Sequence, residues 1–270
     1  MSIGETIQYI IDNKCSVARY CDGELNAVSA NSLGFQSYQP QLSAKLQEYL
    51  KEKNRDANCL ICLPGILAYE NDYEPSTKKF WLKILVHHRR EWYAYCDLSY
   101  LYGNADITRC YIELKDRSNS STYFEMLKNI WNDRDVVIIE GEKSRLGVGT
   151  DLFSNSHSIQ RVLCPPTDAF SSYDIILEYI KNNLPKDTLI LLALGPTATV
   201  MAVELSQIGY QAVDIGNVDK EYEWCEAKAT HKTVNPIKFT MEVENGTDVE
   251  ECLDPSYVNQ VVHTIRADKT

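Results

Sequence analysis

Short apolar runs and longer amphipathic stretches alternate along this chain. Ser16–Tyr20, Cys59–Leu63, Trp92–Cys96, Val136–Glu140, Ser158–Cys164, Thr188–Leu194 and Gln211–Ile215 are brief, apolar and strand-like. Helix-period stretches at Glu5–Asn13, Gln41–Lys53, Pro75–Arg89, Ser121–Asn132, Ser172–Asn183 and Pro196–Ile208 lie between several of them. Such a sequence of elements predicts an α/β fold, a mostly parallel sheet with helices on both faces. The clearest unit runs from Asp187 to Asp214: a buried strand, a helix with Pro196 in its first turn, and a second strand, one right-handed βαβ crossover. No repeat, heptad series or Gly/Ser linker interrupts the pattern. Residues 1–270 therefore read as a single domain with an irregular insertion at Ala68–Ser76. Beyond Thr230 the alternation fades, and residues 230–270 read as a C-terminal appendage packed on the sheet.

Composition narrows the function classes. With 44% hydrophobic and 24% charged residues in 270, the chain can bury a real core, and no run of apolar residues is long enough for a transmembrane segment. The amino end lacks a basic region ahead of an apolar stretch, so no secretion signal is expected and the reading is a cytoplasmic protein, with a peripheral position at the inner membrane face compatible with it. A net charge of −11 argues against nucleic acid as a partner. The basic cluster His87-His88-Arg89-Arg90 sits in a helix-like stretch and reads as a solvated end. Nine scattered cysteines, several in apolar runs, read as buried thiols of a reducing compartment. Cys59-x-x-Cys62 has no second ligand pair for zinc. Asn245-Gly246-Thr247 matches a glycosylation acceptor that a non-secreted chain does not use.

In open α/β sheets, ligands bind beyond the carboxyl ends of the strands, so the segments after each strand hold the candidate chemistry. After the first comes Arg19-Tyr20-Cys21-Asp22-Gly23-Glu24. In a turn, Asp22 and Glu24 can converge as hard oxygen donors for Mg²⁺ or Mn²⁺, and Arg19 can grip a phosphate. The alternative is a surface turn in which Asp22 caps a helix at Leu25–Ser29. After the fourth lies Glu140–Phe153, where Gly147 and Gly149 admit close backbone approach and Lys143 and Arg145 supply charge. It is neither a Walker loop nor a complete dinucleotide fingerprint, and an ordinary loop is the alternative. Gly195-Pro196-Thr197 opens a helix whose free N–H groups can hold a phosphate, or is simply a tight turn. In Asp214–Trp224 the acids Asp219, Glu221 and Glu223 alternate. On an extended segment they would share one side, and crowding would raise a pKa toward that of a general base. A solvated acidic loop is the bland reading.

Together these blocks resemble the bacterial glycosyltransferases of the GT-D fold, formerly the domain of unknown function 1792. RYCDGE at 19–24, EGEKSRLGVGTDLF at 140–153, LGPTA at 194–198 and DIGNVDKEYEW at 214–224 follow the family pattern in order. The resemblance implies a Rossmann-like domain binding a nucleotide-diphosphate sugar, commonly a UDP-sugar, and passing the sugar to a glycan or glycoprotein acceptor. It further implies a divalent cation, Mn²⁺ or Mg²⁺, at Asp22 and Glu24. Glu223, and with it Glu221, would then be the acceptor-activating base. Arg19, Asp22, Arg145, Gly147, Gly149, Gly195, Thr197 and Asn217 would contact the donor. Three positions depart from the pattern: Cys21 and Thr150 stand where the family has Gly and Asn, and Asn217 where it has His. An amide at 217 is neutral where an imidazole can ligate metal or hold phosphate. Two rivals remain at this stage, a nicotinamide- or SAM-dependent enzyme on the same sheet class and a nucleotide-sugar-binding module without catalysis.

Overall fold

A computed structural model of the chain describes residues 1–51 and 58–266. The apolar runs become strands because Val, Ile and Leu fill both faces of a covered sheet. They are β1 (Ser16–Arg19), β2 (Cys59–Leu63), β4 (Asp135–Gly141), β5 (Ser158–Cys164), β6 (Leu189–Ala193) and β7 (Gln211–Asp214), joined by a two-residue β3 (Gly103–Asn104) and by β8 (Val261–Thr264). The strand order is β3-β2-β1-β7-β6-β4-β5-β8, and every pairing is parallel. Along β4, Val136, Val137, Ile138 and Ile139 are all buried, so helices cover both faces.

The helices are α1 (Ile3–Asn13), α2 (Asp22–Val28), α3 (Pro40–Leu50), α4 (Pro75–Tyr95), α5 (Ser120–Trp131), α6 (Tyr173–Asn183), α7 (Pro196–Gln207), α8 (Val218–Glu226) and α9 (Pro255–Gln260). α1, α5 and α8 form one packed group, and α2, α3, α4 and α7 another. α7 lies against β1 and β7 and is buried along most of its length. Ser2 and Glu5 start α1 with a reciprocal capping box. None of the helices among the described residues is long and apolar enough to cross a membrane.

Four expectations change. Trp92–Cys96 is not a strand: through Tyr95 it is the last turn of α4, because Trp81 and Trp92, eleven residues apart, fall on one helical face and are both buried. The acids after β7 do not lie on an extended segment but wind around α8. The appendage contributes a strand, β8, paired with β5 at the sheet edge. α3 ends at Leu50, and positions 52–53 of the predicted helix lie outside the described residues, as do 267–270 of the appendage. Cys59 and Cys62 are buried within β2, where a spacing of three puts them on opposite faces and prevents them from sharing a metal.

Candidate active site

β1 and β7 lie side by side, and beyond their carboxyl ends opens a cleft of about 390 Å³. The chain leaves β1 toward one half of the sheet and reaches β7 from the other, which makes this the topological switch point where α/β sheets bind ligands. Its wall draws on the ends of β1, β4, β5, β6 and β7, the start of α8, the loop at 33–36 and the appendage at 239–242.

Arg19 ends β1 and is buried. Its Nη2 donates to Asp214 Oδ1 (2.8 Å), its Nε to the Asp214 carbonyl (2.8 Å) and its Nη1 to the Ala105 carbonyl (3.2 Å). Arg19 lines the cleft, but its guanidinium is spent on joining β1 to β7. Gly216 makes that possible: it sits at φ +42°, and a Cβ there would lie 2.0 Å from Arg19 Nη2.

α2 begins directly after this pair. Cys21, not Asp22, is the N-cap residue, and its N–H donates to Glu24 Oε2 at 2.8 Å. Asp22 and Glu24 therefore occupy helical positions about 200° apart around the axis rather than one turn. Both still line the cleft, Glu24 by folding back over the helix start. Burial pushes the Asp22 carboxyl up, against the opposing pull of Arg109. Burial, reinforced by Asp214, pushes Glu24 up to about 7. Among the described residues neither carboxylate forms an ion pair; local backbone N–H groups and the fields of Arg109 and Arg19 only partly offset the burial.

Near Asp22 a compact charge cluster borders the cleft. Arg109 bonds Glu242 (2.6 Å) and Glu113 (3.3 Å), and Lys232 bonds the same two acids at 2.5 and 3.0 Å. Burial opposes the charge of Glu242, yet Arg109 and Lys232 hold its carboxyl down at about 2. Asn217, the N-cap of α8, donates its amide to Glu242 Oε1 at 2.6 Å, so the position joins the appendage to the sheet rather than standing free.

The loop after β4 is built on a buried ion pair. Glu140 Oε1 meets Arg161 Nη1 at 2.5 Å, Glu140 Oε2 accepts the Leu146 N–H, and Arg161 Nη2 donates to the Leu146 carbonyl. Gly147 donates its N–H to Asp219 Oδ1, and a Cβ there would strike the Phe153 ring. Arg145 turns away from the cleft and donates to the carbonyls of Ile237 and Glu250. Of this segment Gly141, Ser144 and Leu146 line the cleft, whereas Arg145, Gly147 and Gly149 do not.

α8 separates the three acids. Asp219 lines the cleft, with Oδ2 on the fully buried Lys238 at 2.7 Å. Glu223, one turn on, bonds the same lysine at 2.6 Å and Asn235 at 3.0 Å, outside the cleft lining. Glu221 points the other way. It is buried, accepts the N–H groups of Tyr111 and Ile112, and is pushed up to about 7 by that burial. Lys220 belongs to the cleft wall; its amine is buried with no hydrogen-bond partner among the described residues and is driven down to about 8 by desolvation. Gly195 lies in the cleft at φ +55°, where a Cβ would strike the Phe35 ring. Thr197, in the first turn of α7, is fully buried, its hydroxyl unpartnered among the described residues.

The cleft thus gathers Arg19, Asp22, Glu24, Gly195 and Asn217 from the sequence reading, and leaves out Arg145, Gly147, Gly149, Thr197, Glu221 and Glu223. It adds Arg109, Asp219, Lys220 and Glu242. Asp219 was visible as one of the alternating acids. Lys220 lies in the same block beside it, whereas Arg109 and Glu242 come from segments without periodicity, and for Glu242 no local signal exists.

Comparison with known proteins places the fold. The family model described as glycosyltransferase GT-D fold matches residues 17–243, from β1 to the appendage segment that walls the cleft. The chain is 37% identical over 262 residues to "Probable glycosyl transferase Gly" of Streptococcus gordonii, covering 97% of this chain and 38% of that protein. It is 35% identical over 263 residues to "Glycosyltransferase GlyD" of Streptococcus pneumoniae, covering 97% and 32%. The chain therefore spans about a third of the length of the curated relatives it matches. Among solved structures it superposes with TM-score 0.92 and 38% identity on a domain of unknown function 1792 described as a distinct glycosyltransferase fold, covering 98% of this chain and 95% of that one. The same TM-score, at 37% identity and 98% of both chains, holds for a glycosyltransferase of this kind from Streptococcus sanguinis. By its sequence over residues 17–243 and by its fold, the chain belongs to the glycosyltransferase GT-D fold family.

Proposed function

We propose that the chain is a glycosyltransferase that takes a sugar from a nucleoside-diphosphate donor, a UDP-sugar by family resemblance, and passes it to a glycan or glycoprotein acceptor. Mn²⁺ or Mg²⁺ would be held by Asp22 and Glu24. One observation carries the reading: the cleft's arginines are already neutralised, Arg19 by Asp214 and Arg109 by Glu113 and Glu242, while the cleft carboxylates of Asp22 and Glu24 form no direct ion pair among the described residues and are both pushed up by burial. A diphosphate entering this cleft brings negative charge that these arginines do not answer. A divalent ion between the acids and the phosphates meets both needs, and two hard oxygen donors leave it free to take water and phosphate oxygens. When bound, such an ion supplies Lewis-acid stabilisation of the charge on the leaving diphosphate.

The chain's own residues would orient the donor. Gly195 brings the start of α7 close to the ligand. Gly216 keeps Arg19 in place beneath. Lys220 is the cleft cation not committed to a carboxylate among the described residues, and suits an anionic oxygen. Glu223 and Glu221 gain no support as bases, since one is fixed on Lys238 and the other on two backbone N–H groups. A mass-spectrometric screen of nucleotide-sugars tests the proposal: cation-dependent release of free sugar or transfer from at least one donor is expected. No turnover of any donor, with or without cation, would overturn it.

A further inference from the structure

α4 is a 21-residue helix with one face on the core: Trp81 and Trp92 are buried and Ile84, Leu85 and Tyr95 pack partly buried beside them. At about 100° per residue, Leu82, Val86 and Tyr93 fall within about 40° of one another on a separate stripe. They are 63%, 71% and 41% exposed. Lys79, Lys83 and Arg90 lie roughly 40–80° to one side of this stripe and Arg89 about 40° to the other, all exposed. Lys79, Lys83 and Arg90 form no ion pair among the described residues, and Arg89 lies over the Tyr93 ring at 5.4 Å. No acidic residue occurs between Glu74 and Glu91, although the chain as a whole carries −11. Past the helix, Leu98 and Leu101 are 84% and 67% exposed. An apolar stripe bordered by unpaired cations is the pattern of a helix lying in a membrane interface.

We propose that α4 docks the chain onto an anionic lipid surface, with Leu82, Val86 and Tyr93 entering the boundary between headgroups and acyl chains and the flanking lysines and arginines meeting lipid phosphates. The aliphatic stripe favours lipid over a nucleic acid or free polyphosphate, which would use the charges and leave the stripe wet. A second copy of this acidic chain is the competing occupant. Each basic side chain near such a surface strengthens partition about fivefold, and the gain falls within a Debye length as salt rises.

The test is co-sedimentation of the full chain with vesicles of phosphatidylcholine containing roughly a third phosphatidylglycerol, against pure phosphatidylcholine. Binding to the anionic vesicles alone is expected. It should weaken at least about tenfold in Lys79→Glu/Lys83→Glu, and strongly in Leu82→Ser/Val86→Ser, while both variants keep the wild-type melting temperature because these side chains are exposed. In Leu82→Trp, where the new indole reports on the stripe, a blue shift on adding anionic vesicles is expected. Wild-type protein left in the supernatant with anionic vesicles would overturn the proposal, as would undiminished binding in both variants. So would a dimer in solution that the same substitutions dissociate, which would assign the face to a second copy.

Discussion

Replacing Arg19 with Met separates two roles for this residue. If Arg19 were held ready for a phosphate, removing it would leave stability unchanged or higher and weaken only nucleotide binding. The geometry gives another answer. The guanidinium makes three hydrogen bonds to β7 and to the short 3₁₀ turn Ala105–Thr108, with the side chains of Arg19 and Asp214 only 7% and 4% exposed. Met fills similar space but leaves the Asp214 carboxylate buried with only the Gly216 N–H (3.1 Å) and the Thr199 hydroxyl (3.4 Å). Breaking a buried pair on one side costs about 3–5 kcal/mol, a fall in melting temperature of roughly 10 °C for a chain this size. The double variant Arg19→Met/Asp214→Leu removes the stranded charge and should recover part of the loss, so the two effects should not add. Without its arginine, Asp214 has a folded pKa raised by burial, so the deficit should shrink as pH falls toward the unfolded carboxylate value and grow as pH rises through the folded one. Urea unfolding of wild type, both single variants and the double variant reads all of this. Arg19→Met costing under about 1 kcal/mol, or strict additivity in the cycle, would refute the argument.

Four further outcomes follow from these charged groups. Glu24 and Glu221 both rise from 4.5 to about 7, so the folded chain holds more protons than the unfolded one between those values. Cation-free stability should therefore fall from pH 4.5 to 7, by up to about 3 kcal/mol per group, and added Mn²⁺ should restore the share due to Glu24; a flat profile in a pH series of melts would contradict this. Lys220 carries the opposite shift, from 10.5 to about 8, a penalty present below pH 8 and relieved as pH approaches 10.5. Lys220→Met should raise stability at pH 7 by about 1–3 kcal/mol, with the gain gone near pH 10, and should weaken diphosphate binding; lower stability at pH 7 would refute it. Glu221→Ala orphans two buried N–H groups and should cost about 3 kcal/mol in urea unfolding, whereas Glu221→Gln stays close to wild type. Glu223→Gln should keep both fold and turnover, and loss of turnover with donor binding intact would return Glu223 to the chemistry.

The central strands were legible because burial on both faces demands the unbroken apolar runs that Val136–Ile139 and Leu189–Leu192 supply. β8 was not, because Val262, His263 and Thr264 are exposed on an edge strand and carry no apolar signature. Trp92–Cys96 misled because aromatic alternation suits a strand as well as the buried face of a long helix. The D-x-E motif located the cleft correctly but not its local geometry: helical winding replaced the imagined turn. Alternating acids after β7 met the same fate on α8, which sends Glu221 to a structural role. Arg19–Asp214 joins residues 195 positions apart, and Lys238 reaches Asp219 and Glu223 from the aperiodic appendage. Such long-range pairing leaves no trace in local pattern, so a lone arginine beside an acidic motif reads as a ligand grip until its partner is seen.

The most direct test of the account is calorimetric titration of UDP into the wild-type chain and into Asp22→Asn/Glu24→Gln, each with and without Mn²⁺. Binding by wild type only with the cation present, and its loss in the variant at a melting temperature no lower than that of wild type, is the predicted result. Equal UDP affinity without the cation, or in the variant, would contradict the claim that two uncompensated acids and a divalent ion form the donor site.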